Sequence, residues 1–168
     1  PSNTVMLYLN LQKYPFNLLP VRKAISLAID RQELQQKAAP YAAPANPTGV
    51  LLPNFKDSIA TDYASAQFAV DRAQAETLLQ SVGFKKDANG IYADKSGKEI
   101  SFSLLDVNGW SDWDSDTQLI QNDLKQIGIK TSINTVGDFT PYYTSLSGGT
   151  YEGAISWTNN GPTPYYPY

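Results

Sequence analysis

Residues 15–31 read PFNLLPVRKAISLAIDR and have the clearest helical pattern in the chain. Pro20 suits the first turn of a helix, where its missing N–H has no intrahelical partner to lose. Apolar residues then recur at helical spacing and predict a stripe that is buried against a core: Val21, Ala24, Ile25, Ala28 and Ile29. Residues 30–33, DRQE, have the pattern of a capping box, so a second short helix begins directly after the first.

Alternating patterns on both sides of this stretch predict strands. Residues 4–11 place four apolar side chains on one side, as a half-buried strand does: Val5, Leu7, Leu9 and Leu11. Further strands are predicted over residues 91–93, 100–104, 129–136 and 154–157. The first of these belongs to a hairpin over residues 85–98, where Asn89-Gly90 and Ser96-Gly97 are turn signals.

Helical patterns fill much of the remaining chain. We predict helices over residues 71–83, 111–127 and 138–147. Asp71 is expected to cap the first of them, and the segment from Ser111 to Asp114 the second. Residues 40–55 are rich in Pro, Ala, Asn and Gly and predict an irregular loop. The order of elements is that of a mixed α/β fold, in which helices flank a mixed sheet.

The composition excludes several kinds of protein. The net charge is -3 and Lys and Arg are scattered singly or in pairs, which argues against a nucleic-acid partner. The chain has no cysteine and no histidine, so disulfides, thiol chemistry and a serine triad are excluded. No segment has the pattern of a nucleophile elbow, a phosphate loop or a dinucleotide fingerprint. We therefore expect neither an enzyme nor a bound cofactor, and no catalytic residue is assigned.

Three aspartates imitate the start of a calcium-binding loop: Asp112, Asp114 and Asp116. Such a loop needs Gly at its sixth position and Glu at its twelfth, and this chain has Thr117 and Asp123 there. The simpler interpretation places the acids at a helix N-terminus, where the helix dipole favours negative charge. We therefore predict no metal site.

Five segments, in this order, resemble the oligopeptide/dipeptide-binding family of bacterial extracellular solute-binding proteins: residues 15–31, 44–47, 70–84, 124–130 and 151–157. The resemblance implies one lobe of a periplasmic-binding-protein-like (type II) fold, the lobe often called domain III. Two such lobes close over a ligand around a hinge. The resemblance also implies a partner, the membrane permease of an ABC importer. The expected location is extracytoplasmic, either periplasmic or lipid-anchored, and no feature points to an obligate dimer, so we expect a monomer.

The ends of the chain suggest that it is part of a longer precursor. It begins without Met, signal peptide or lipidation segment, and it ends in Pro164-Tyr165-Tyr166-Pro167-Tyr168. We expect residues 1–168 to be a single lobe, with the first lobe encoded before Pro1 and after Tyr168. The chain would then carry half of the binding cleft.

Two loops are the candidate ligand-binding segments, because loops at the ends of sheet strands line clefts in α/β folds. In the first loop, Asn108 and Gly109 lead to Trp110 at the start of a helix, where free N–H groups can meet acceptors. The second loop follows Trp157 and contains Asn159 and Asn160. Further candidates outside these loops are Tyr142, Tyr143 and the tyrosines of residues 165–168, while Trp113 is expected in the core.

The resemblance leaves the solute open. In peptide-binding members an acidic residue three positions after the strand-ending tryptophan anchors the peptide α-amino group, and the matching position here is Asn160. A neutral amide removes that charge-assisted hydrogen bond, unless Asp106 or Asp112 supplies the charge. Peptides and oligosaccharides such as cello-oligosaccharides both remain candidates.

Functions of other classes also stay open from the sequence. A hydrolase domain would turn its ligand over, which a receptor does not. The sequence cannot distinguish a surface adhesion or signalling module of the same fold from a transport receptor, because the difference lies in whether permease genes neighbour its gene.

Overall fold

The structure is a computed structural model and describes residues 3–49, 55–158 and 163. Residues 15–31 contain helix α1, which spans Leu19–Ala28, and the first residue of helix α2, which spans Arg31–Lys37. Pro20 lies in the first turn of α1, and the apolar stripe faces the core. The Asp30 side chain accepts hydrogen bonds from the N–H groups of Gln32 and Glu33, which confirms Asp30 as the cap of α2. The reciprocal bond of a capping box is not formed, because the Asp30 N–H donates to Asp123.

A four-stranded mixed sheet lies at the centre of the fold. Its strands are β1 (Val5–Leu9), β4 (Ser101–Val107), β5 (Lys130–Val136) and β6 (Gly153–Trp157), and β2 (Lys85–Lys86) pairs separately with β3 (Tyr92–Ala93). The order in the sheet is β1-β6-β4-β5. Strand β4 is parallel to both β5 and β6, whereas β1 is antiparallel to β6. The predicted mixed α/β class is therefore confirmed.

The described residues contain three further α-helices: α3 (Arg72–Ser81), α4 (Ser111–Gln126) and α5 (Phe139–Ser147). Helix α4 connects β4 to β5, as a parallel pair requires, and packs against both strands. Helix α1 packs against α3 and α4. The side chain of Asp71 accepts a hydrogen bond from the Gln74 N–H, as predicted for the cap of α3.

The start of α4 differs from the prediction. Ser111 is already the first helical residue, and Trp110 occupies the cap position without a side-chain cap hydrogen bond. The carboxylate of Asp112 is used elsewhere, because it accepts from the Trp113 N–H and from the Tyr41 hydroxyl. Strand β1 is also shorter than predicted and ends at Leu9, since Leu11 lies in a following turn with 53% of its surface exposed.

A buried carboxylate joins three helical segments. Asp123 of α4 is 2% exposed, and its Oδ1 lies 2.6 Å from a guanidinium nitrogen of Arg72 in α3. Its Oδ2 accepts the N–H of Asp30, at the junction of α1 and α2, at 2.9 Å. Buried charges persist in proteins when they are paired and hydrogen-bonded, so this cluster fixes how α1, α3 and α4 meet.

The edge strand β1 begins beside the end of β6. Val5 is paired with Trp157, and the Thr158 N–H donates to the carbonyl of Thr4 at 2.9 Å. The two strands run in opposite directions, so the polypeptide at residue 4 and the polypeptide at residue 158 meet at the same end of the sheet.

The turn from α4 into β5 requires glycine. Gly128 has φ +73°, and a Cβ at this position would lie 2.5 Å from the Gly90 carbonyl oxygen. That oxygen belongs to the β2–β3 hairpin, which therefore packs directly on the end of α4. Within the described residues, each helix is too short or too polar to cross a membrane.

Candidate ligand-binding site

The carboxyl ends of three parallel strands lie at one edge of the sheet. Val107 of β4 is paired with Val136 of β5, and Leu104 of β4 with Gly153 of β6, so the strands run in the same direction and end near one another. In open α/β sheets ligands bind outside these carboxyl ends. The residues that follow each strand here are therefore the candidates for a binding surface.

Three aromatic rings from three different strand ends lie nearly parallel at this edge, and we call them the aromatic platform: Trp110, Phe139 and Trp157. Trp110 and Trp157 have ring centroids 5.1 Å apart at an interplanar angle of 12°. Phe139 lies 5.7 Å from Trp157 at 4° and 6.1 Å from Trp110 at 11°. Trp110 is 36% exposed and Phe139 40%, so part of the platform faces solvent.

Buried aromatic side chains hold the platform from below. Trp113 is 2% exposed, and its ring lies 4.7 Å from that of Trp110 and 5.1 Å from that of Trp157. Tyr142 is 1% exposed, contacts Phe139 and donates its hydroxyl to the Ile155 carbonyl at 2.5 Å. Packing on two buried rings restricts the rotamers of the platform residues.

Tyr142→Phe should lower the free energy of unfolding by about 1 kcal/mol, because it removes one buried hydrogen bond and leaves the ring in place. Thermal and urea unfolding would measure the change. The matched control is Tyr143→Phe, since Tyr143 is 57% exposed on the same helix. Equal stability of the two variants would show that the hydroxyl of Tyr142 does not anchor α5 to β6.

The first predicted loop lies beside the platform. Gly109 has φ +88°, a conformation that favours glycine, and it turns the chain from β4 into α4. Asn108 is exposed, and its N–H donates to the Val136 carbonyl at 2.9 Å. The structure thus brings Asn108, Gly109 and Trp110 to the same edge as Trp157. Of the second loop, Asn159 and Asn160 lie outside the described residues.

Phe139 was missed by the sequence analysis. It is the first residue of α5, and Asp138 before it caps the helix by accepting the Thr140 N–H. The signal was available, because an aromatic residue three positions after the end of β5 matches Trp110 after β4. Tyr143 is exposed and stacks on Phe139 with centroids 5.8 Å apart, whereas Tyr142 is a core residue.

The two acids considered as charged ligand contacts differ in accessibility. Asp106 of β4 is 0% exposed and accepts from the Val107 N–H at 2.8 Å. Burial raises the pKa of the Asp106 carboxyl to about 6, and the nearby Asp114 carboxyl contributes to the shift. Asp106 is therefore sealed from a solute on the platform, while Asp112 remains partly exposed. In the part of the chain that the structure describes, no group of three or more acidic side chains is arranged to hold a metal ion.

Comparisons with known proteins match the whole chain to one family. Residues 1–168 match the family model described as bacterial extracellular solute-binding proteins, family 5 Middle. The nickel-binding periplasmic protein of Escherichia coli (strain K12) is 30% identical over 141 residues, which are 79% of this chain and 25% of that protein. The glutathione-binding protein GsiB of Salmonella choleraesuis (strain SC-B67) is 33% identical over 129 residues, 76% of this chain and 22% of that protein.

A solved structure shares the fold across nearly the entire chain. It is a mannohexaose-bound periplasmic oligopeptide-binding protein of an oligopeptide ABC transporter from Thermotoga maritima, with a TM-score of 0.88 and 27% identity. The match covers 98% of this chain and 31% of that one. The chain spans about a quarter of the length of the curated relatives that it matches. The curated relatives are named as binding proteins, and the solved structures of similar fold are type II periplasmic binding proteins.

Proposed function

This chain belongs to the bacterial extracellular solute-binding proteins of family 5, and from that premise we propose that it forms one lobe of a receptor that captures a small polar solute for an ABC importer. The aromatic platform carries the proposal. It places partly exposed rings from three strand ends at the carboxyl edge of the sheet, where ligands of α/β folds bind.

Residues 1–168 act as a single domain III-like lobe in this proposal. The match to 31% of the Thermotoga maritima chain supports a larger protein whose other lobe lies outside this sequence. Ligand would contact the platform in the open form, and the other lobe would then close over it. The closed protein would dock on a membrane permease, and the receptor itself would be a monomer outside the cytoplasm, periplasmic or lipid-anchored.

The platform favours a solute with a flat apolar face. An oligosaccharide offers such faces through the C–H groups of its rings, and its hydroxyls can pair with the amides of Asn108, Asn159 and Asn160. The Thermotoga maritima protein of similar fold was crystallised with mannohexaose. An oligopeptide is the second candidate, since that protein is named as an oligopeptide-binding protein and GsiB as a glutathione-binding one.

Calorimetric titration of the full-length protein would test this function. The panel pairs cello-oligosaccharides and manno-oligosaccharides with peptides of two to six residues. We expect reversible binding of one class, unchanged ligand after incubation, and a change of tryptophan fluorescence as Trp110 and Trp157 are covered. Clear turnover of a panel member would instead support a hydrolase, and no binding by any member would contradict solute capture.

A further inference from the structure

A cavity of about 760 Å³ is lined in part by Val5, the strand partner of Trp157, and by Asp112 of α4. Its apolar lining comes from the strands β1 and β6 and from the helices α1 and α4: Val5, Leu7, Leu9, Ile25, Ile29, Ile120 and Ile155. The loop segment from Ala39 to Gly49 forms another wall. The cavity is large enough for part of an organic ligand, because small-molecule sites commonly enclose about 300–1,000 Å³.

Two carboxylates of α4 line this cavity one helical turn apart. Asp112 accepts a hydrogen bond from the Tyr41 hydroxyl at 2.7 Å, which ties the loop segment to α4. Asp116 is half-buried, and within the described residues it accepts no hydrogen bond and forms no ion pair. A half-buried carboxylate without a partner is unfavourable, so an occupant that supplies a positive charge would stabilise it.

Two arginines line the same cavity but do not neutralise these acids. The guanidinium of Arg22 donates to the Phe16 carbonyl at 2.7 Å. That of Arg31 donates to the Ser26 carbonyl at 2.8 Å and stacks over the ring of Phe68, 3.8 Å from its centroid. Main-chain oxygens and an aromatic face therefore hold both cations away from the acidic wall.

The electrostatics of the acidic wall favour a cationic occupant. Burial raises the pKa of the Asp116 carboxyl to about 7, and the negative charges of Asp112 and Asp106 add to the shift. The charged or titratable groups that line the cavity are Arg22 of α1, Arg31 of α2, Tyr41 of the loop segment, and Asp112 and Asp116 of α4. A bound cation would favour the ionised carboxylate and reverse this shift.

Two residues that line the cavity are neighbours of platform residues in the sheet or in the sequence. Val5, which lines the cavity, is the strand partner of Trp157, and Asp112 follows Trp110 by two residues. We propose that the cavity receives a cationic group of the transported solute, an ammonium or a guanidinium, against Asp112 and Asp116, while a flat face of the same solute stacks on the platform. This inference rests on the proposed function and names the charge of its solute.

Matched probes that differ in a single charge would test the inference in the full-length protein. The first pair is acetyl-Ala-Lys-Ala-amide and acetyl-Ala-norleucine-Ala-amide, and the second is acetyl-Ala-Arg-Ala-amide and acetyl-Ala-citrulline-Ala-amide. Calorimetry at pH 7.5 should show that one cationic probe binds roughly tenfold more tightly than its neutral partner, as a partly desolvated charge pair provides. Binding of the lysine probe should strengthen between pH 5.5 and 8, since lysine stays charged while Asp116 ionises.

Two substitutions separate this inference from general effects. Asp116→Asn should reduce the preference for the cationic probe to about twofold or less. Asp112→Asn should weaken it as well, since the amide oxygen can still accept from the Tyr41 hydroxyl but carries no charge. Asp62→Asn is the control, because Asp62 is exposed and lies outside the cavity. Thermal unfolding would confirm that each variant is folded.

The outcomes distinguish this inference from the proposed function. Equal affinity for cationic and neutral probes, or a preference that survives in Asp116→Asn, would contradict the proposal that the cavity binds a cationic group. Neither result would contradict solute capture. Failure of every probe and every member of the wider ligand panel would overturn both.

Discussion

Asp123→Ala should lower the free energy of unfolding by about 3 kcal/mol, the low end of the loss caused by breaking a buried ion pair. The substitution removes the partner of Arg72 and the acceptor of the Asp30 N–H together. Arg72 keeps 33% of its side chain exposed, so its guanidinium can partly rehydrate, which holds the loss below the upper end. Urea unfolding monitored by tryptophan fluorescence would measure the change.

The matched control is Glu33→Gln, which breaks the exposed Lys37–Glu33 pair on α2. Exposed ion pairs within one helix contribute little, because water and salt screen them. This variant should therefore unfold at the same urea concentration as the unchanged protein. A similar midpoint for Asp123→Ala would mean that the three-helix junction does not depend on the buried carboxylate.

Trp157→Ala should weaken solute binding by the full-length protein by about 1–3 kcal/mol, a roughly 5- to 150-fold rise in Kd. Trp157 is the platform member whose ring lies nearest to both other rings, and its loss also removes the nearer of the two rings stacked on Trp110. Calorimetry with the tightest ligand of the panel would give the change, and circular dichroism would check that the variant is folded.

A second platform variant and a remote one make this prediction specific. Phe139→Ala should weaken binding in the same direction, since Phe139 is 40% exposed and stacks on Trp157. Tyr63→Ala should leave affinity unchanged, because Tyr63 is an exposed aromatic residue outside the platform and the cavity. Unchanged affinity in both platform variants would show that these rings serve only to pack the fold.

The sequence predicted those elements whose signals are local. The helical stripe of α1 and the caps at Asp30 and Asp71 depend on residues within one turn, and the structure confirms them. The prediction that a residue from Ser111 to Asp114 caps α4 was wrong, because several Ser and Asp residues compete at the start of this helix. Tyr41, distant in the chain, holds Asp112 through a hydrogen bond that spacing alone does not reveal.

The candidate site was predictable only in part. Trp110 follows a predicted strand and Trp157 ends one, so their position at a sheet edge could be inferred. That both rings stack with Phe139 depends on the strand order, in which β4 lies between β5 and β6. The Arg72–Asp123 pair and the cavity likewise join residues that are far apart in the chain. The ligand-binding roles of all six candidates stay predictions: Asn108, Gly109, Trp110, Trp157, Asn159 and Asn160.

The junction of β1 and β6 has a mechanical consequence. Thr4 and Thr158 are hydrogen-bonded at one end of the antiparallel pair of β1 and β6. A force that separates these two residues would therefore break the backbone hydrogen bonds between the strands one after another. This mode of separation needs much less force than sliding two strands past each other, because in sliding all the inter-strand hydrogen bonds bear the force together. Pulling at this junction would therefore strip β1 from the sheet before the parallel strands β4 and β5 are strained.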